Sequence, residues 1–414
     1  MPTTSTGAGN WTAVVGSLTI SDDVVINHDV DLNGIVNMTG TITINAGKTL
    51  DTTSASNHNL TASANITVNG TLICNDSDVG AASIMGTGTL ECDTATITLA
   101  AGGDIQTTNI NMDAATILGG GAEGAFNLFG AGTAASPSGA STINISGSSA
   151  ASITCRRFGG IWATSGASTV TLRDAGHTSN LVSGSLYNLT VNGSGDTFTF
   201  GEAITVSNNV TITAGTLAGG SANHSFGTLT VSSGGTYDAT SGTTTIDTPG
   251  TSNSPQAMHT TAGTMNHNDG KVLYRGKGAN QLRWGEGHVY DLQVECDGSS
   301  GSAIILEGDA GAGHVEVMND LTLTNRSGNG LLCRLNGTAY DLTVHGDMYM
   351  KRGDSSSSSE QIYFYYNGDP TGNYEIKGKL HLSGNEHVRF RAPNSNGRLR
   401  VGSFINEGAY FEST

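Results

Sequence analysis

The stretch Asn208-Asn209-Val210-Thr211-Ile212-Thr213-Ala214-Gly215-Thr216-Leu217 decides how this chain folds. Val210 and Ile212 alternate with Thr211 and Thr213, the two-residue period of a strand with one buried face. Ala214-Gly215 then turns the chain, and Thr216-Leu217 begins a second strand. A strand of this length is too short to fold alone. The phrase is repeated, however: Asn65-Ile66-Thr67-Val68, Asn188-Leu189-Thr190-Val191, Asp291-Leu292-Gln293-Val294, Asp320-Leu321-Thr322-Leu323 and Asp341-Leu342-Thr343-Val344. Looser copies stand at Ile42-Thr43-Ile44, Ile97-Thr98-Leu99 and Leu229-Thr230-Val231.

Copies at Leu189, Val210 and Leu229, and again at Leu321 and Leu342, recur about every 20 residues, the size of one solenoid coil. The chemistry suits such a coil. Aliphatic residues at alternate positions point inward and stack on their equivalents one rung away. Thr, Ser and Asn point outward, where β-branched Thr fits a pleated surface. Gly and Asn supply corners through positive φ, and Asn or Asp before each strand can form a ladder along the stack. The expected fold is therefore all-β, a parallel β-helix (β-solenoid). The competing fold is an array of β-sandwiches. Against it, Leu18-Thr19-Ile20, Val24-Val25-Ile26 and Val30-Asp31-Leu32 follow one another too closely for most hairpins.

Composition agrees. Charged residues make up 13 % of 414, about half the usual share, and Gly reaches 59 while Pro is only 6. Runs at helical spacing are absent, so almost no helix is expected. The net charge is −17. Residues 1–270 carry four basic and 18 acidic side chains, whereas residues 271–414 carry 14 basic and 17 acidic ones. Neither part has the clustered Lys/Arg that phosphate contact needs, which argues against nucleic acid as a partner. The acidity serves solubility.

Cys74, Cys92, Cys155, Cys296 and Cys333 lack metal-type spacing and read as small buried hydrophobes, with a Cys74–Cys92 bridge open if adjacent rungs bring them together. The opening residues 1–16 contain neither a basic n-region nor an apolar h-region, so synthesis without a Sec leader is expected. No apolar run approaches the ~20 residues of a membrane helix, so membrane insertion is not expected.

Three zones follow from composition: a Gly/Ala/Thr-rich solenoid with an N-terminal cap or attachment segment over 1–180, regular repeats over 181–270, and a C-terminal β region over 271–414. Gly119 through Pro137 reads as an excursion and Ser355–Ser359 as a loop. The last zone holds nine of the eleven tyrosines. Gln361-Ile362-Tyr363-Phe364-Tyr365-Tyr366 is its densest aromatic strand, and Arg389, Arg391, Arg398 and Arg400 alternate with apolar residues. One reading has these large residues filling or capping the end of the stack. The other makes Tyr363, Tyr365, Tyr366, Arg389, Arg391, Arg398 and Arg400 a contact surface, since Tyr and Arg dominate binding hot spots. The two readings are compatible if subunits meet there.

Catalytic signatures are weak. Asp22-Asp23 stands without the Gly-His-Gly and Arg-x-Lys of pectin-cleaving β-helices, and Gly287-His288 and Gly313-His314 lack the following Gly. Carboxylates paired between rungs remain open. No GxSxG, HExxH or P-loop occurs. The protein is read as a non-enzyme, with no cofactor and no metal.

With these residues in view, the chain resembles the Gly/Thr-rich β-solenoid virion proteins of tailed bacteriophages: tail fibres, tailspikes, head fibres and decoration proteins. The resemblance is carried by Asn/Asp-Leu-Thr-Val followed by Gly-Thr-Leu turns, the leaderless start and the unpaired cysteines. It implies a structural protein of the particle, made in the host cytoplasm and located on the virion. It also implies a homo-oligomer, trimer favoured, that meets other virion proteins and a host surface glycan. Gly9-Asn10-Trp11-Thr12 is similar to the first turns of secreted bacterial solenoid adhesins, which gives the alternative of a cell-surface adhesin or self-assembling extracellular filament. A polysaccharide-degrading β-helix enzyme is the third reading.

Overall fold

The computed structural model describes residues 17–53, 57–92, 95–101, 103–107, 109–112, 116–120, 127–130, 142–147, 169–174, 178–181, 184–186, 188–247, 257–260, 262–276, 281–285, 287–296, 303–308, 313–325, 331–335, 341–351, 362–365, 372–384, 388–394 and 396–412. Every regular element among them is a β-strand, and every strand pairing recorded among them is parallel. The fold is a β-solenoid. Antiparallel hairpins, which a sandwich array requires, do not occur among these pairings. The chain divides into two compact units, Met1–Thr205 and Val206–Thr414.

In the first unit, over Ser17–Met112, each coil lays down three short strands. Ser17–Ile20, Ile35–Met38, Leu60–Ala62, Val79–Ala81, Thr96–Ala101 and Thr116–Gly120 form one sheet. Val24–Ile26, Ile42–Ile44, Ile66–Val68, Ile84–Met85, Asp104–Thr107 and Asn127–Gly130 form the second. The third begins with Val30–Asp31, Thr49–Asp51, Thr71–Ile73, Thr89–Cys92 and Asn109–Met112. Because the side-chain period is two, register fixes which residues share the interior. Val24, Ile42, Ile66, Ile84 and Ile105 stand in one column. Val30, Leu50, Leu72 and Leu90 stand in another, each almost fully buried.

The second unit repeats the plan with larger side chains. One interior column runs Val272, Leu292, Leu321, Met348, Leu380 and Phe404. A second runs Ile304, Cys333, Phe364, Phe390 and Phe411, and a third Val315, Leu342, Tyr374 and Leu399. Trp284, Tyr237, Tyr274, Tyr374, Phe226, Phe364 and Phe390 are buried, and Phe364 stacks on Phe390 at 5.6 Å between centroids. Large residues therefore fill the interior of this unit. Of the opening stretch, Val210, Ile212 and Leu217 are fully buried while Thr211, Thr213 and Thr216 are half-buried; the expected break at Ala214-Gly215 is instead a bend, with Gly215 at φ +80°, within the continuous strand Ile204–Ala218.

Corners depart from the sequence reading in an instructive way. Among the described residues only Asn268 and Asp269 are non-glycines at positive φ. The other corner Asn and Asp act through hydrogen bonds rather than backbone conformation. Glycine also acts by close approach: a Cβ on Gly88 would lie 1.9 Å from the Gly70 carbonyl oxygen one rung below. Cys74 is a buried free thiol whose Sγ donates to the Glu91 carbonyl at 3.2 Å, so the Cys74–Cys92 bridge is not formed. Of the expected excursion, Asn127–Gly130 is a strand of the second sheet. Residues 121–126 and 131–137, like Ser355–Ser359, lie outside the described residues.

Candidate functional site

Polar side chains of the described coils repeatedly hold one rung to the next. In the second unit the Asp320 N–H donates to Asp291 Oδ1 at 3.1 Å, the Asp347 N–H to Asp320 Oδ1 at 2.7 Å and the Lys379 N–H to Asp347 Oδ1 at 2.7 Å. The chain must turn at each corner, which leaves an amide without a sheet partner, and the carboxylate below supplies one. Asp291, Asp320 and Asp341 are the first residues of the repeated phrase. Asp341 takes the same role, accepting from the Asn373 N–H at 2.6 Å. Asp347 also accepts from the Tyr349 hydroxyl at 2.6 Å, which with the Lys379 amide holds its carboxyl below the usual range and pushes the Tyr349 hydroxyl up to about 12.

Ionisable groups follow the same axial pattern. Lys377 Nζ lies 3.0 Å from His345 Nδ1, and His345 Nε2 lies 2.8 Å from Glu316 Oε1. Lysine can only donate, so Nδ1 accepts and the Nε2–H is left to donate to the carboxylate. Burial raises the Glu316 carboxyl, but hydrogen bonds from His345 and the Gly287 N–H outweigh it and hold the group below its ordinary value. His259, Arg283 and Glu307 occupy one register column, with Arg283 Nε 3.9 Å from Glu307 Oε1. His259 is held below its ordinary value by burial and then by the Arg283 charge. Arg275 donates to Glu295 at 2.9 Å.

The residues singled out in the sequence fall on two sets of strands. Tyr363 and Arg389 face outward at paired positions of Ile362–Tyr365 and Val388–Arg391, and Tyr410 continues the column. The Arg389 guanidinium lies 5.1 Å from the Tyr363 ring centroid and 5.3 Å from that of Tyr410, a cation–π ladder of three rungs. Behind it, Phe364, Phe390 and Phe411 stack inside the coil at 5.6 and 5.8 Å. Strand alternation separates the two columns. Arg391 pairs in register with Glu412, and Tyr365 with Arg334. Tyr366 lies outside the described residues.

Arg398 and Arg400 belong elsewhere. With Asn373, Tyr374 and Glu375 they line an open groove of about 370 Å³. Glu375 pairs in register with Arg400, and burial pushes the Tyr374 hydroxyl well above its ordinary value. The structure thus unites Tyr363 with Arg389, unites Arg398 with Arg400, and keeps the pairs on different columns of paired strands.

Other motifs take structural roles. Asp23 Oδ1 accepts from the Thr41 N–H at 2.7 Å as a corner ligand. Gly287 and Gly313 turn with φ +71° and +58°, and His288 Nδ1 accepts from the Gly285 N–H at 3.1 Å. Sequence reading missed Tyr410 and the Glu316–His345–Lys377 chain. Partners in that chain are 29 and 32 residues apart, and uneven rung lengths hide such neighbours. Among the described residues no group of three His, Cys, Asp or Glu is placed to hold a metal ion, and no helix is long and apolar enough to cross a membrane. Comparison with known proteins finds no matching family model, no similar curated protein and no similar solved structure.

Proposed function

We propose that the protein is a non-enzymatic structural component of a bacteriophage particle, a fibre, spike or capsid decoration, whose coil presents an outer face to a host surface glycan. The observation that carries the reading is the outward Tyr363–Arg389–Tyr410 ladder on a rigid stack. Tyr410 is 52 % exposed, and an aromatic face held flat by its neighbour is a platform on which a sugar ring can lie. The non-enzymatic part is supported by the way carboxylates and imidazoles are used. Asp291, Asp320, Asp347 and Glu316 each bind a neighbouring rung instead of converging across a cleft. The Asn/Asp-Leu-Thr-Val style supports assignment to a particle.

The test has two arms. Antibody against the protein should label intact phage particles in electron micrographs, and labelling of cell envelopes alone would favour the adhesin reading. Purified protein should bind isolated bacterial surface polysaccharide, and Tyr363→Ala should weaken binding about tenfold, as expected for loss of one stacking aromatic. Polysaccharide shortened by the protein, or binding indifferent to Tyr363, would refute the proposal.

A further inference from the structure

Lys271 and Gln293 stand on successive rungs, in the paired strands Lys271–Gly276 and Asp291–Cys296. Lys271 Nζ donates to Gln293 Oε1 at 3.2 Å, and Gln293 Nε2 donates to Glu295 Oε1 at 2.6 Å. Lysine only donates and a carboxylate only accepts, which fixes the amide's orientation: carbonyl toward the amine, nitrogen toward the acid. Arg275, the register partner of Glu295, donates to the other carboxylate oxygen at 2.9 Å and holds it in place. Asp291, the register partner of Lys271, is engaged by the Asp320 N–H at 3.1 Å and by Asn319 Nδ2 at 2.9 Å. The lysine is thus directed to a side-chain amide on the next rung.

The surroundings limit water. On the same outer face Leu273 lies below Gln293 in register and Thr324 lies above Glu295, and they are only 8 % and 9 % exposed. The Glu295 side chain is 14 % exposed. An amine, an amide carbon and a carboxylate brought together in this way are the parts of an amide exchange. The amine is the nucleophile, the amide carbon the electrophile and the carboxylate the proton carrier. Nζ lies within hydrogen-bond reach of the oxygen on the carbon it would attack. Neighbouring rungs hold all three groups in one place, so the reaction is intramolecular and gains the advantage of proximity.

We infer that Lys271 and Gln293 join in an isopeptide bond, a covalent staple between two rungs. Nζ attacks Cδ of Gln293, a new C–N bond forms, and the bond from Cδ to Nε2 breaks. Counted from the lysine ammonium, two protons leave Nζ, and Glu295, in contact with Nε2, passes them to the leaving nitrogen, which departs as ammonium. Atoms and charge balance with no oxidant, reductant or co-reactant. A solenoid coil is held mainly by its two neighbours, so a bond across this interface resists local opening where hydrogen bonds alone would let the rungs part.

The intact mass of the folded full chain should be lower than that of its sequence by one ammonia, and digestion followed by tandem mass spectrometry should give a branched peptide joining Lys271 to Gln293. Lys271→Arg keeps a cation and a hydrogen-bond donor, but it should restore the ammonia and give linear peptides only. Glu295→Gln keeps the shape and loses the proton carrier, so cross-linking, read as the branched fraction against time after cell-free synthesis, should slow about a hundredfold or more. Glu295→Asp should recover part of that rate. Far-UV circular dichroism reports whether each variant is folded; should E295Q fail there, K271R and the branched peptide carry the test alone. A parent chain of undiminished mass overturns the inference. So does an ammonia loss that persists in K271R, since ring closure at an asparagine then accounts for it. Cross-linking of E295Q at the parent rate overturns the role given to Glu295. The Tyr363 ladder takes no part in the staple, so K271R should bind glycan like the parent, which separates failure here from failure of the glycan reading.

Discussion

Placing a carboxylate inside the stack gives the sharpest measure of the inward–outward assignment. Leu342 is fully buried, with Val315 beneath it and Tyr374 above it in the same column. Leu342→Asp removes a side chain whose burial stabilises by about 1.5–3 kcal/mol and leaves a void that raises the loss to about 2–5 kcal/mol. The new carboxyl must also be stripped of water without a partner, costing about a further 2 kcal/mol or more even when it protonates to avoid burying charge. The expected loss is therefore at least about 4 kcal/mol, close to the whole stability of a marginal domain. Val210→Asp should behave alike, since Val210 is equally buried. Thr211, next to it, is half-buried on the outer face, so Thr211→Asp should cost within about 0.5–1 kcal/mol. Urea titration followed by circular dichroism in the strand region, with proteolysis to detect local opening of one rung, measures all three. Because a solenoid rung is stabilised mainly by its two neighbours, cleavage should begin near the substituted coil. Equal midpoints for the three variants would refute the assignment of faces.

Two further outcomes follow from the ladders and from a buried imidazole. Asp320→Ala removes the acceptor of the Asp347 N–H at 2.7 Å, and a hydrogen bond to a charged group is worth about 1.5–3 kcal/mol, so partial exposure should bring the measured loss to about 1–2 kcal/mol; no change in the urea midpoint would show that water replaces the carboxylate. His224 is 2 % exposed, its Nε2 lies 2.7 Å from the Gly219 carbonyl, and burial lowers its pKa below 6.5. The unfolded chain then binds more protons between that lowered value and 6.5. His224 should therefore cost nothing above pH 6.5, and stability should fall as pH drops through that window by up to about 1.4 kcal/mol per unit. His224→Gln should flatten this part of the stability–pH curve; an unchanged slope would place the acid sensitivity elsewhere.

Much of the architecture was readable because a coil repeats one local instruction. Val210, Ile212, Leu292, Leu321 and Leu342 all stand inside, where the two-residue period put them. Asp291, Asp320 and Asp341 were marked as ladder residues, although the donors they accept from are mainly backbone amides rather than each other's side chains. The arginines and tyrosines of the last zone could be named but not grouped. Tyr363 meets Arg389, and Arg398 joins Glu375, only because loops of unequal length return each strand to its register.

Alternation of aliphatic and hydroxyl residues, with Gly and Asx between, determined by itself that this chain stacks short strands around a dry interior, because each position depends only on its neighbours in sequence and one coil away. Which outward side chains share a column was decided by tertiary structure alone, since coil length, and not local pattern, sets what lies above what.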